Sequence, residues 1–235
     1  SEYIHFAVAE KNENIWIAQR QGRAKNSNDL TQPAILKMMA MGGEGSIIDR
    51  LKQLHIVPLT ISYEYDPCDY LKAREYQLRR DVPYWKKTAE DDMESMLVGI
   101  KGFKGHIFYR CAPCIDEWLD TVDAEQPKNK LFDEIAAHID REIHSNYELY
   151  PCNYVALDMI QDTKVYEEYY TSEDYQKFDE YINGQIEKID IENRDDHFLR
   201  TCLLTQYAYP AKNYIAASSE NGRFKSLLNR LTFKK

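Results

Sequence analysis

Residues 55–75 read HIVPLTISYEYDPCDYLKARE, and the order of residue types in this stretch decides the fold class. Ile56, Val57, Leu59, Ile61 and Tyr63 are strand formers, and Pro58 among them marks an edge or a bulge, because proline has no N–H to give a ladder. Asp66-Pro67 breaks the chain, and residues 69–80 then read as a surface helix. Working outward, residues 15–18 (IWIA) form a second short apolar run, expected to be a buried strand of a parallel or mixed sheet. Between the two runs, Thr31 offers an N-cap, Pro33 fits a first turn, and Ile35, Leu36, Met38 and Met39 supply an apolar face before Gly42-Gly43 stops the helix. A second short helix is expected over 46–54. Strand, helix and strand in this order predict an α/β sheet.

The rest of the chain becomes more helical. A short helix is expected over 2–10, another around 91–98, and a third strand at 104–111 (KGHIFYRC), ended by Ala112-Pro113. Leu131, Phe132, Ile135, Ala136, Ile139 and Ile143 mark one helix face, and Tyr175, Phe178, Ile182, Ile186 and Ile189 mark another. Residues 152–160 read as helix, as do 197–207 and 212–233. The C-terminal half is therefore expected to be a helical layer.

Composition bounds the function. The 235 residues carry a net charge of -9, and mean hydropathy is -0.63. No apolar run approaches the roughly 18 residues a membrane span needs, and no signal peptide pattern opens the chain. A cytoplasmic protein, or one peripheral to the inner face of a membrane, is expected. Five scattered cysteines suit reduced thiols. Acid concentrates at 162–196, with twelve acids against four bases, and base at 212–235, with six bases against one acid. The C-terminal stretch places Phe224, Leu227, Leu228 and Leu231 in an apolar stripe among its bases. Docking on the helical layer is favoured there over lying on anionic lipid. No basic groove interleaved with aromatics is evident among the eighteen tyrosines, so no nucleic acid partner is expected.

Two stretches carry a resemblance. Residues 15–25, IWIAQRQGRAK, resemble the third conserved block of the glycerolipid acyltransferases, in which an apolar strand leads into Glu-Gly-(Thr or Gly)-Arg-Ser. Residues 55–75 resemble the fourth block, a strand carrying Val/Ile-Pro. Their continuation through Tyr63-Glu64 and Tyr70-Leu71-Lys72 to Glu75 is similar to the glycerol-3-phosphate and 1-acylglycerol-3-phosphate acyltransferases. The resemblance covers about the first third of the chain, extending loosely through 104–113. It implies an O-acyltransferase that moves a fatty acyl group from an acyl-carrier-protein or acyl-CoA thioester to a phosphate-bearing or lysolipid acceptor, without a cofactor. Transferred residue by residue, it implies Gln21, Gly22, Arg23 and Lys25 for phosphate binding, and Pro58 for shaping the pocket. The chemistry agrees: a glycine lets backbone N–H groups approach an anion, and guanidinium forks suit phosphate oxygens.

Two departures stand out. Gln21 occupies the family's glutamate position, and Arg23 follows Gly22 directly. The family's His-x-x-x-x-Asp motif, whose histidine is the general base, is missing, since none of the six histidines has an aspartate five residues on. His5 with Glu10 has the spacing, but lies only ten residues before Ile15 and reads better as an ordinary helix residue. Residues 1–118 are thus expected to be the C-terminal part of an acyltransferase α/β domain lacking its catalytic base, a partial sheet with flanking helices. Residues 119–235 are expected to form the helical region. Such a chain alone should be inactive, and should expose a sheet edge or an apolar face. The alternative reading is a non-catalytic lipid- or partner-binding module derived from the same fold.

Cys111-Ala-Pro-Cys114 has redox or zinc spacing. A redox pair should open a helix in a thioredoxin-like unit, and structural zinc needs two further ligands in a matching pair. Neither context is visible in the sequence, and a strand end followed by an ordinary turn accounts for the spacing.

Overall fold

The computed structural model of the chain describes residues 2–19 and 25–220. The fold is mixed α/β, with 58% of the described residues in helices and 5% in strands. It divides into two compact units, and the chain passes between them several times.

The first unit takes its described residues from 2–19, 29–60 and 109–146. It contains α1 (Glu2–His5), continued by a π-helical turn (Phe6–Glu10), then α2 (Pro33–Met39), α3 (Ile47–Lys52), α6 (Asp116–Leu119) and α7 (Lys128–Ser145). Its centre is the face of α7 formed by Leu131, Phe132, Ile135, Ala136, Ile139 and Ile143, all buried. This is the stripe the sequence predicts. Leu36 and Met39 are buried on α2, which packs on α7. Polar ties hold the loops: the Thr31 N–H donates to Asp140 Oδ1 at 2.7 Å, and the Thr60 hydroxyl donates to the Ile143 carbonyl at 2.9 Å. Helix α3 opens with a capping box between Ser46 and Asp49. Gly43 sits at φ +79°, and a Cβ there would stand 2.6 Å from the His5 ring, so only glycine fits this turn.

The second unit, from 25–28, 61–108 and 147–220, holds α4 (Asp69–Asp81), α5 (Ala89–Lys101), α8 (Pro151–Gln161), α9 (Ser172–Glu187) and α10 (Asp196–Glu220). Its core gathers Val155 and Leu157 of α8, Phe178, Ile182 and Ile186 of α9, and Leu199, Leu203, Tyr207 and Ile215 of α10. Helices α8, α9 and α4 pack around α10.

Three expectations about elements change. The pair of helices expected at 197–207 and 212–233 is one helix, α10, which runs through Pro210. Proline costs a helix interior about 3 kcal/mol. Here Leu203, Leu204, Tyr207 and Ala208 before it and Ala211 and Ile215 after it are buried in one core, which offsets that cost. The part of the expectation beyond residue 220 lies outside the described residues. Second, residues 12–18 take no regular structure, and Trp16 is 72% exposed, so IWIA is not the buried strand expected. A short apolar run has no period to identify it, and no described strand pairs with this one. Third, the sheet is not parallel: β1 (Leu59–Tyr63) and β2 (Ile107–Cys111) form a small antiparallel pair. Both strands do fall inside the predicted segments. Pro58 stands just before β1, where its missing N–H breaks no ladder bond.

Candidate functional site

Of the residues that the acyltransferase resemblance nominates, Gln21, Gly22 and Arg23 lie outside the described residues. Lys25 and Pro58 are described. Pro58 is buried in the first unit, where its carbonyl accepts the Ala112 N–H at 2.9 Å. Lys25 belongs to the second unit. Its ammonium forms an ion pair with Glu75 Oε1 of α4, an oxygen that also meets Arg79 Nη2 at 2.7 Å. Glu75 is buried, and two cations on its carboxylate satisfy the condition for burying a charge. Burial, with repulsion from Arg79 and Lys87, holds the Lys25 ammonium below the usual lysine range, at about 8.

The geometry thus joins the last residue of the basic stretch to the last residue of the 55–75 stretch. Beside Glu75, a cleft opens between α4 and α5, with Leu71, Leu78 and Trp85 in its lining and Arg74, Lys87 and Glu94 among its charged groups. Arg74 reaches Asp91 at 3.2 Å and Glu94 at 3.5 Å, and Lys87 reaches Asp92 at 2.8 Å. This cleft mixes both signs of charge, so an anion entering it would have to exchange places with a carboxylate.

Helix α5 is inverted with respect to an ordinary amphipathic helix. Asp91, Glu94 and Ser95 line the cleft toward α4. At about 100° per residue, Met93, Met96, Leu97 and Ile100 fall on the opposite face. They are 72%, 60%, 51% and 74% exposed. The row forms at the helical spacing of a buried stripe and is not buried.

His5, which mimics the spacing of a catalytic histidine, is buried, with Nε2 2.9 Å from the Met39 carbonyl oxygen, while Glu10 is exposed. The bond ties the first helix to the end of α2, as expected of an ordinary helix residue.

Two clusters escape the sequence. In the core of the second unit, Asp69 Oδ2 accepts from the hydroxyls of Tyr181 at 2.7 Å and Tyr207 at 2.6 Å, and the two hydroxyls stand 3.0 Å apart. Burial pushes the Asp69 carboxyl up to about 6, while the tyrosine donors pull it back. Asp69 has no exposed surface, so the cluster ties α4, α9 and α10 together and meets no ligand directly. In the first unit, His55, Cys114 and Asp116 each offer a metal-ligating atom, and these atoms lie within 4.8 Å of one another. His55 Nδ1 is 2.6 Å from Asp116 Oδ2.

No family model, curated protein or solved structure matches the chain.

Proposed function

We propose that these residues are the acceptor side of an O-acyltransferase acting on a phosphate-bearing or lysolipid acceptor, with an acyl-carrier-protein or acyl-CoA thioester as donor. The observation that carries the reading is the Lys25–Glu75 ion pair. It joins the two stretches that resemble consecutive blocks of the glycerolipid acyltransferases, although fifty residues of sequence separate them. In this reading Arg23 and Lys25 supply the positive charge for the acceptor phosphate, and Gly22 lets the backbone close on it. The general base is not among these 235 residues. Acyl transfer needs a histidine or equivalent to take the proton of the attacking hydroxyl, and no His-x-x-x-x-Asp is present.

A lipid acceptor also gives the exposed row of α5 a role. Met93, Met96, Leu97 and Ile100 face away from the α4 cleft, on a helix with Glu90, Asp91 and Asp92 in its first turn and Lys101 in its last. An exposed apolar row on an otherwise polar helix suits the headgroup boundary of a bilayer. No described helix is long and apolar enough to cross a membrane, so the contact proposed is peripheral.

The test joins these residues to the sequence that precedes them in the gene. If that sequence carries His-x-x-x-x-Asp, the joined protein should transfer acyl groups to a lysophospholipid or glycerol phosphate. Arg23→Ala should then lower kcat/KM by roughly 100-fold, the scale of losing a charge-assisted contact in a closed site. A joined protein without transfer activity overturns the enzyme reading. One that is active but indifferent to Arg23→Ala overturns the phosphate assignment.

A further inference from the structure

We infer that His55, Cys114 and Asp116 form a binding site for a borderline divalent cation of the zinc class. This assignment is independent of the acyl-transfer reading. The three ligand types are imidazole, thiolate and carboxylate, a set that suits zinc and cobalt and disfavours magnesium and calcium, which take oxygen alone.

The site is built by backbone before side chains are considered. His55 lies in the loop after α3, Cys114 lies in the turn that enters α6, and Asp116 is the first residue of α6. The Ala112 N–H donates to the Pro58 carbonyl at 2.9 Å, and the Ile115 N–H to the Ile56 carbonyl at 3.0 Å. These bonds hold residues 56–58 against 112–115, next to the cluster, and Ile115 and Leu119 anchor the turn in the core. His55 itself sits at φ 47°, in the left-handed region that a non-glycine residue seldom occupies.

The carboxylate points to a ligand in its own right. Asp116 Oδ2 faces His55, while Oδ1 is buried and meets no N–H or O–H donor. A buried carboxylate oxygen without a donor is costly, and a bound cation would satisfy it. Cys114 Sγ lies within 4.8 Å of the ligand atoms of both His55 and Asp116, so all three groups converge on one point. Glu117 adds negative charge beside Cys114. The neighbouring Lys52 is engaged by Asp120 at 2.6 Å.

Distances fit with small adjustments. A tetrahedral zinc with bonds of about 2.0–2.3 Å holds its ligand atoms roughly 3.3–3.8 Å apart. His55 and Asp116 would part by about 1 Å from their present 2.6 Å as the cation replaces their hydrogen bond, and the thiol would draw in. The His55 side chain is 72% exposed and free to make that motion. On binding, Cys114 loses its proton to solvent and ligates as the thiolate. Three protein ligands leave a fourth position for water, the arrangement of an open metal site. Cys111 is not a ligand, so the spacing of Cys111-Ala-Pro-Cys114 alone misleads: the partners of Cys114 come from 55 and 116.

Titration of the reduced chain with Co²⁺ tests this. One equivalent should produce the thiolate-to-cobalt charge-transfer band and tetrahedral d–d bands, and Zn²⁺ should abolish both by displacement. Cys114→Ser should eliminate the charge-transfer band, and His55→Ala should weaken binding at least 100-fold, beyond the cost of losing an outer-shell partner. Cys111→Ser should leave both unchanged. Absence of the band in the unmodified chain overturns the site, as does its survival in Cys114→Ser or its loss in Cys111→Ser. A measurement that requires no variant is the ring-nitrogen spectrum of the histidines: Zn²⁺ should shift His55 alone among the six, and a spectrum in which His55 does not move overturns the assignment.

Discussion

Asp69 shows how a single residue carries a pH dependence into the fold. An aspartate in an unfolded chain titrates near 3.9, whereas burial raises Asp69 to about 6 despite its two tyrosine donors. Between these values the folded state keeps a proton that the unfolded state releases. The contribution of this group to stability therefore falls as pH rises from about 4 to about 6 and is level above that. Asp69→Asn removes the dependence. The stability of the variant relative to the unmodified chain, from urea melts, should improve by about 3 kcal/mol across that window, the equivalent of about two pH units. A difference that stays flat would show that Asp69 is ionised throughout. Nothing in the sequence foretells the cluster: Asp69 reads as the first residue of a surface helix, and Tyr207 lies 138 residues away. Lys25 is the opposite case, since the basic stretch around it is conspicuous, but its partner Glu75 is not.

At the scale of elements, what was legible had a local cause. Helix α9 is capped by Thr171, whose hydroxyl accepts the Asp174 N–H at 3.1 Å while Asp174 Oδ2 accepts the Thr171 N–H at 2.8 Å. Cap and apolar period are both written in adjacent residues. Thr171→Ala should cost about 1 kcal/mol in a urea melt, and no change would mean that the box contributes nothing. Residues 15–18 and Pro210 failed for non-local reasons. An apolar run becomes a strand only if another strand meets it, and a proline ends a helix only if too little burial lies beyond it. The outward row of α5 belongs to the same class: its period predicts a helix, but not which face is covered. If the row contacts lipid, the chain should float with vesicles containing anionic phospholipid, and the Met96→Asp, Ile100→Asp double variant should not. Flotation that is equal for both proteins would rule out lipid contact through α5.

At the scale of the molecule, the predicted α/β class holds in its coarse form, a mainly helical chain with one antiparallel pair of strands. The division into units is not local in sequence, because each unit is assembled from separated segments. Contacts that distant have no signature in a single chain. The functional reading depends on joining the basic turn to the 55–75 stretch. Its most direct measurement is acyl transfer to a lysophospholipid by the protein that unites these residues with an upstream His-x-x-x-x-Asp segment, compared with Arg23→Ala and with Lys25→Ala. Transfer should occur and both substitutions should lower it, Arg23→Ala more severely. Absence of transfer, or rates that neither substitution changes, would contradict the functional reading.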